Sequence, residues 1–173
     1  MPASEQGNIT GRYTLVPRTL IFLTCGDRIL LLKGAPEKRV WANLYNGIGG
    51  HVERGEDVLS AALRELKEET GLILSTLDLR GIIIIDTGGE AGISLYIFHG
   101  ECTEGEAKMT ENIVSSREGN LEWVKRSDLD RLPLVEDLPI LLPRLLAMQP
   151  GDPSFSALYW YNDRGGLQIE FSE

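Results

Sequence analysis

The segment from Glu56 to Leu72 constrains this chain more than any other. Glu65, Glu68 and Glu69 stand at i, i+3 and i+4, which on an α-helix places three carboxylates on one face, a turn or less apart. Val58, Ala62, Leu63 and Leu66 give the same helix an apolar side for docking. Asp57 suits the N-cap or first turn and Gly71 the C′ position, so the helix is predicted from Glu56 or Asp57 to Thr70. Like charges this close repel unless something positive lies between them. A divalent cation answers that need, and oxygen-only ligands favour Mg²⁺, Mn²⁺ or Ca²⁺ over zinc. The alternative is a solvated acidic helix face, the usual meaning of a charge run. Against it stands the approach, Asn46-Gly47-Ile48-Gly49-Gly50, a glycine-rich turn that lets a ligand come close to the backbone.

Around this helix the pattern alternates strands and helices. Arg12–Thr24 reads as a long strand, Cys25-Gly26-Asp27 as a turn, and Arg28–Lys33 as the returning strand. Gly34–Leu44 is a loop carrying Lys38 and Arg39, and Tyr45–Val52 a short strand and turn. Leu77–Asp86 and Ile93–Cys102 follow as strands joined through Thr87–Gly92. The unalternating run Ile82–Ile85 predicts a strand covered on both faces. Thr103–Gly119, polar and acidic, reads as a loop, and Asn120–Lys125 as a strand anchored by Trp123. A brief helix starts at Ser127 and a longer one spans Leu138–Met148. Ala157–Tyr161 and Leu167–Phe171 form a terminal hairpin about Asn162–Gly166. This is an α/β chain with a mixed sheet between helices. The expected organisation is a flexible tail over residues 1–11 and one domain over 12–173, a length that can bury a sizeable core.

A net charge of −9 argues against a nucleic-acid polymer as partner, since phosphate neutralisation needs a basic face. It leaves room for a small anionic substrate, because a metal and a few cations reverse the sign within a cleft. Cys25 and Cys102 read as small buried residues rather than a disulfide framework. With no secretion signal and no apolar run of membrane-spanning length, the expectation is a cytoplasmic protein without membrane partners. There is no G-x-S-x-G or Walker A sequence, and two isolated histidines support neither a serine triad nor a zinc site.

Residues 50 to 72 resemble the Nudix box, G-x5-E-x7-R-E-U-x-E-E-x-G-U with U aliphatic. Gly50, Glu56, Arg64, Glu65, Leu66, Glu68, Glu69, Gly71 and Leu72 fill all nine specified positions. The resemblance implies an α/β/α sandwich with a mixed β-sheet and a Mg²⁺-dependent hydrolase, Mn²⁺ being a possible substitute. It implies Glu68 and Glu69 as principal metal ligands, Glu65 as a ligand or water-orienting base, and the Gly50 carbonyl as a further metal contact. Arg64 would hold a box carboxylate, with a plain i,i+4 pair to Glu68 as the alternative. Glu56 is either a metal contact through water or a stabiliser of the helix entry. A general base outside the box is common in such enzymes; Glu118 is the candidate and Glu111 the fallback, against simple solvent-facing acids.

Tyr45-Asn46-Gly47-Ile48-Gly49-Gly50 is similar to the W-N-G-x-G-G segment of MutT-like members that act on oxidised purine nucleoside triphosphates. That likeness implies Asn46 as a contact to the base edge and Tyr45 as a stacking surface. Asp137 stands where related enzymes place an acid against the purine; a helix N-cap before Leu138 is the competing role. Lys33, Lys38 and Arg39 are the nearest cations for phosphates, and His51 is a phosphate contact or a turn residue. His99 reads as structural. The expected reaction is hydrolysis of a nucleoside triphosphate, such as 8-oxo-dGTP, to monophosphate and pyrophosphate. Alternatives are an ADP-ribose, nucleotide-sugar or other organic diphosphate hydrolase, or a Nudix-fold sensor without turnover. A monomer and a homodimer are both compatible with the chain.

Overall fold

The computed structural model describes residues 11–110 and 118–172. The tail expected over 1–11 therefore lies, apart from Gly11, outside the described residues. The strands are β1 (Thr14–Cys25), β2 (Arg28–Gly34), β3 (Tyr45–Asn46), β4 (Asp78–Asp86), β5 (Ala91–Glu101), β6 (Gly119–Lys125), β7 (Phe155–Tyr161) and β8 (Leu167–Phe171). The helices are α1 (Val58–Thr70), α2 (Glu104–Thr110) and α3 (Leu138–Ala147), with a 3₁₀ turn over Arg126–Arg131.

These strands form one mixed sheet in the order β3-β2-β1-β5-β4-β7-β8, with β6 along the other edge of β2. β1 pairs parallel with β5, and β4 parallel with β7; the remaining pairs are antiparallel. Strand alternation sends Leu20 and Phe22 to one face and Ile21 and Leu23 to the other. On the first face Leu138, Leu141, Leu142 and Leu145 of α3 close a core. On the second, Ala62 and Leu66 of α1 close another. The result is the α/β/α sandwich.

The ends of α1 form as the residues at its boundaries require. Asp57 Oδ1 accepts from the Leu59 and Ser60 amides at 2.9 and 3.0 Å, and Gly71 closes the helix at φ 68°. Two expectations are corrected. Residues 104–110, read as loop, form α2, because Thr103 and Glu106 make a capping box: Glu106 Oε2 accepts from the Thr103 amide at 2.8 Å and Thr103 Oγ1 from the Glu106 amide at 3.3 Å. The Ile82–Ile85 run is not covered on both faces. Ile83 is buried and Ile85 packs on the α3-side core, whereas Ile82 and Ile84 point to the opposite face and stay half-buried. α1 docks over β1, with which it makes its principal sheet contact, and leaves that part of the sheet open.

Most important for function is a split in the sheet. β1 pairs with β2 only at Leu23–Cys25, after which the strands part. The segment following β3 enters the gap: Ile48 and Ile21 exchange both backbone hydrogen bonds, and the Thr19 amide donates to the Gly50 carbonyl at 2.9 Å. This threads the glycine turn along the outer half of β1 and delivers it to the foot of α1.

Candidate active site

The threading works because of the glycines. Gly49 has φ 149°, and a Cβ there would lie 2.2 Å from the Thr19 carbonyl oxygen. A Cβ on Gly50 would lie 2.4 Å from Glu65 Oε1, so the Glu65 carboxylate is packed directly onto that residue's backbone. The Gly50 carbonyl expected to face a metal already accepts the Thr19 amide; its second lone pair is available for another partner.

Arg64 is the positive charge among the box acids. Its Nε and Nη2 hold the two oxygens of Glu56 at 2.8 and 3.0 Å, a two-pronged contact. Nη1 reaches Glu65 at 2.8 Å and Glu68 at 3.2 Å, and Nη2 also donates to the His51 carbonyl at 3.0 Å. The i,i+4 contact to Glu68 is thus the longest of several. The hydrogen bonds that Arg64 donates hold the Glu56 carboxyl below its ordinary range, and the same bonds to Glu56 and Glu65 push the guanidinium further up. Glu56 is anchored as well by the Glu53 amide, which fits the role of stabilising the helix entry.

Glu69 lies outside this knot. It is directed into a cleft of about 370 Å³, and one of its carboxylate oxygens is buried without a hydrogen-bond partner. Burial, then the charges of Glu65 and Glu118, push its pKa up to about 7, with Lys38 and the Gly49 amide acting the other way. An orphaned carboxylate oxygen beside a second acid and a crowded glycine carbonyl fits a hard cation. Among the described residues no three acid, histidine or cysteine side chains already converge as a ligand cage, so Glu65 and Glu68 would have to turn from Arg64 to share one. Glu68, with 59% of its side chain exposed, has that freedom; Glu65, at 15%, is already beside Gly50.

Glu118 lines the same cleft and is bound by Lys38 Nζ at 2.7 Å. Glu111 lies outside the described residues. Asn46 also faces the cleft, its Oδ1 accepting the Gly47 amide at 2.8 Å, which leaves the amide NH₂ group to act as donor. Asp137 arrives there because residues 133–135 run parallel to β3: the Tyr45 amide donates to the Pro133 carbonyl at 2.9 Å and the Val135 amide to the Tyr45 carbonyl at 3.0 Å. It occupies the N-cap position of α3, the competing role, but its side chain makes no capping hydrogen bond there. Burial, with Glu136 adding to it, pushes Asp137 up to about 6.

Tyr45 and Lys33 do not reach the cleft. They are register partners on β3 and β2, and Lys33 Nζ sits 5.4 Å above the Tyr45 ring. Tyr45 is 5% exposed and donates from its hydroxyl to Glu122 at 2.6 Å, so neither face is open for stacking. Side chains alternate along a strand, and Asn46 takes the cleft-facing position. His51 is exposed on the bridge to Arg18, and His99 is held by Thr24 at 3.0 Å as a structural residue.

Sequence reasoning missed the aromatic and cationic lining. Trp41, Tyr159, Tyr161 and Arg18 all line the cleft over a floor of Leu20, Ile85, Ile93 and Leu95. Tyr161 donates to Glu136, which occupies that acid. The alternation in Ala157–Tyr161 was the available signal, since one face of that strand must meet the floor. Three buried side-chain atoms lack a hydrogen-bond partner among the described residues, Thr19 Oγ1, Glu69 Oε2 and Tyr159 Oη, and all three residues border this one cleft.

A mixed sheet between α1 and α3, with a glycine-threaded helix of acids beside a cleft, defines a Nudix-type hydrolase fold. The NUDIX domain model matches residues 14–145, and the chain belongs to that family. It is a hydrolase acting on pyrophosphate bonds. It is 34% identical over 116 residues to the oxidized purine nucleoside triphosphate hydrolase of Danio rerio, covering 66% of this chain and 67% of that protein. It is 39% identical over 72 residues to an m7GpppN-mRNA hydrolase of Xenopus laevis, covering 42% of this chain and 24% of that longer protein. The fold is similar to the MutT protein of Bacillus halodurans, with a TM-score of 0.74, 24% identity and coverage of 91% and 98%.

Proposed function

We propose that this protein hydrolyses a nucleoside triphosphate to the monophosphate and pyrophosphate with Mg²⁺, an oxidised purine such as 8-oxo-dGTP being the leading candidate base. The observation that carries the proposal is the cleft itself: an apolar floor with aromatic sides, unsatisfied polar atoms around it, and the orphaned Glu69 carboxylate. A planar base suits the first part and an anionic phosphate chain the last. The Danio rerio relative, an oxidized purine nucleoside triphosphate hydrolase, agrees with this reading.

Glu69, Glu68, Glu65 and the Gly50 carbonyl would hold the cation. When bound, Mg²⁺ supplies charge neutralisation on the phosphate oxygens and an activated water. Arg64 keeps Glu65 and Glu68 within reach while Glu56 fixes the guanidinium. Glu118 accepts a proton from the attacking water, with Lys38 orienting its carboxylate. Asn46 and Asp137 orient the base, and Arg18, which makes no salt bridge among the described residues, contacts the anionic chain.

Mass spectrometry of the products from a panel of nucleoside triphosphates, ADP-ribose and other organic diphosphates tests the reaction. Pyrophosphate with nucleoside monophosphate is expected. Monophosphate with a phosphosugar would move the enzyme to the ADP-ribose class. Tight binding with no turnover in Mg²⁺ or Mn²⁺ would make it a sensor.

A further inference from the structure

Tyr159 stands apart among the cleft residues. It pairs in register with Ile85 of β4, which in turn pairs with Ile93 of β5, so its ring continues the row that forms the floor. The residue is 2% exposed, yet its hydroxyl has no hydrogen-bond partner among the described residues. A buried hydroxyl without a partner is destabilising, and phenylalanine would fill the same space without that cost. Burial and the nearby charge of Asp137 both raise the Tyr159 pKa, so the hydroxyl stays protonated and able to donate. Its neighbour Tyr161 shows the contrasting arrangement: half exposed, with its hydroxyl engaged by Glu136.

We propose that the Tyr159 hydroxyl is a specificity-determining contact, donating to an acceptor atom on the edge of a substrate heterocycle while Asp137 takes the adjacent N–H. The pair offers a donor beside an acceptor, a pattern that nucleobases carry and that alkyl or sugar groups do not match in a flat slot. The Asn46 amide adds a second donor on the same cleft. The substrate class is therefore a base-bearing phosphoanhydride whose base lies flat against the row of Ile93 and Ile85. This rests on the proposed nucleotide hydrolysis and narrows it, because it makes the base edge the feature selected.

The test compares wild type and Tyr159→Phe on nucleoside triphosphates, ADP-ribose and a base-free alkyl diphosphate, alongside melting of the ligand-free proteins. The expected result is a 10- to 100-fold fall in kcat/KM on the best base-bearing substrate, carried mainly by KM. Turnover of the alkyl diphosphate should be unchanged within twofold, and the melting temperature of the variant unchanged or higher. A KM within twofold of wild type on every base-bearing substrate would overturn the inference. So would a lowered melting temperature with an equal loss on all substrates, since the hydroxyl would then have a structural partner. Turnover of base-free diphosphates alone would overturn it too. If the wild type cleaves ADP-ribose and no triphosphate, the proposed reaction fails, and the effect of Tyr159→Phe on ADP-ribose still decides the base contact.

Discussion

The two polar edges of α1 are treated in opposite ways. On one, Arg64 bonds to Glu56, Glu65 and Glu68 and to the His51 carbonyl, so each carboxylate has a cation within 3.2 Å. On the other, a single turn away, Glu69 enters the cleft with one oxygen unpartnered and its pKa pushed up to about 7. The first arrangement supports the free protein. The second leaves one carboxylate oxygen without a hydrogen-bond partner among the described residues, as the proposed role in holding a cation requires. The clustered acids of the box thus have two solutions, and this chain uses both: an arginine for Glu56 at the helix entry and for Glu65 and Glu68 on the helix, and an open position for Glu69.

The contrast breaks most sharply under substitution at Glu69. Glu69→Gln should lower kcat by about 10²–10³-fold, the usual loss when one charged stabiliser of the reacting centre is removed. Yet its folded stability at pH 8 should not fall, because the amide has no desolvated charge to bury. Steady-state kinetics and thermal melting on the same preparation check both halves. An inactive variant that also melts well below wild type would place Glu69 on the structural edge. Glu118→Gln belongs in the same assay: a general base contributes about 10²–10⁴-fold, and a change under about threefold would take it out of the chemical step.

Arg64→Ala should do the reverse to the scaffold. It leaves the Glu65 carboxylate packed on Gly50 with no cation, and a stability loss of about 2–3 kcal/mol is expected by urea unfolding. Arg64→Lys should recover only part of it, since an ammonium cannot reproduce the two-pronged contact to Glu56. Recovery to the wild-type value would mean that charge alone, not geometry, organises the acids.

How much of this was legible follows from what each residue depends on. The helix contacts and ends rest on local spacing, so the Arg64–Glu68 pair, the Asp57 cap and the Gly71 terminus could be read directly. Arg64 reaching back eight residues to Glu56 could not be read from helix spacing, since it depends on how the entry turn folds. Tyr45 and Asn46 are neighbours that part because of strand alternation, and which one faced the cleft depended on the register with Lys33 and Leu32. Tyr159 and Tyr161 reach the site from β7 and Trp41 from the loop between β2 and β3, and such convergence leaves little local trace. The α2 helix was legible in principle through Thr103-x-x-Glu106, but the polar composition outweighed that capping signal.

The pH dependence of stability sharpens the comparison further. The Glu69 carboxyl has a folded pKa of about 7, well above its ordinary value near 4.5. Between those values the folded protein keeps a proton that the unfolded chain releases. Metal-free wild type should therefore lose stability as pH rises from about 4.5, with the loss complete above about 7 and amounting to roughly 3 kcal/mol. Asp137, at about 6 against 3.8, adds a loss of the same sign between about pH 4 and 6. Melting curves from pH 5 to 8 should fall less steeply for Glu69→Gln than for wild type. Mg²⁺ at pH 8 should raise the wild-type melting temperature and leave that of Glu69→Gln nearly unmoved. Equal responses of the two proteins to Mg²⁺ would detach the cation from this carboxylate.

The smallest effect supplies the control. Asp57 accepts two amide hydrogen bonds at the start of α1 and a third bond from the Ser60 hydroxyl at 2.6 Å, away from both polar edges. These bonds hold its carboxyl below the ordinary range, so the contribution of the cap is present above that range and is lost as pH falls. Asp57→Ala should lower the melting temperature by roughly 2–4 °C at pH 7 and leave kcat within twofold. The helix frays by one turn at its entry while the residues from Glu65 onward, held by packing of Leu66 and by Arg64, stay in place. Activity that tracked this small loss would mean the Nudix helix is marginal as a whole, and the separation between its supporting and its reactive edge would then disappear.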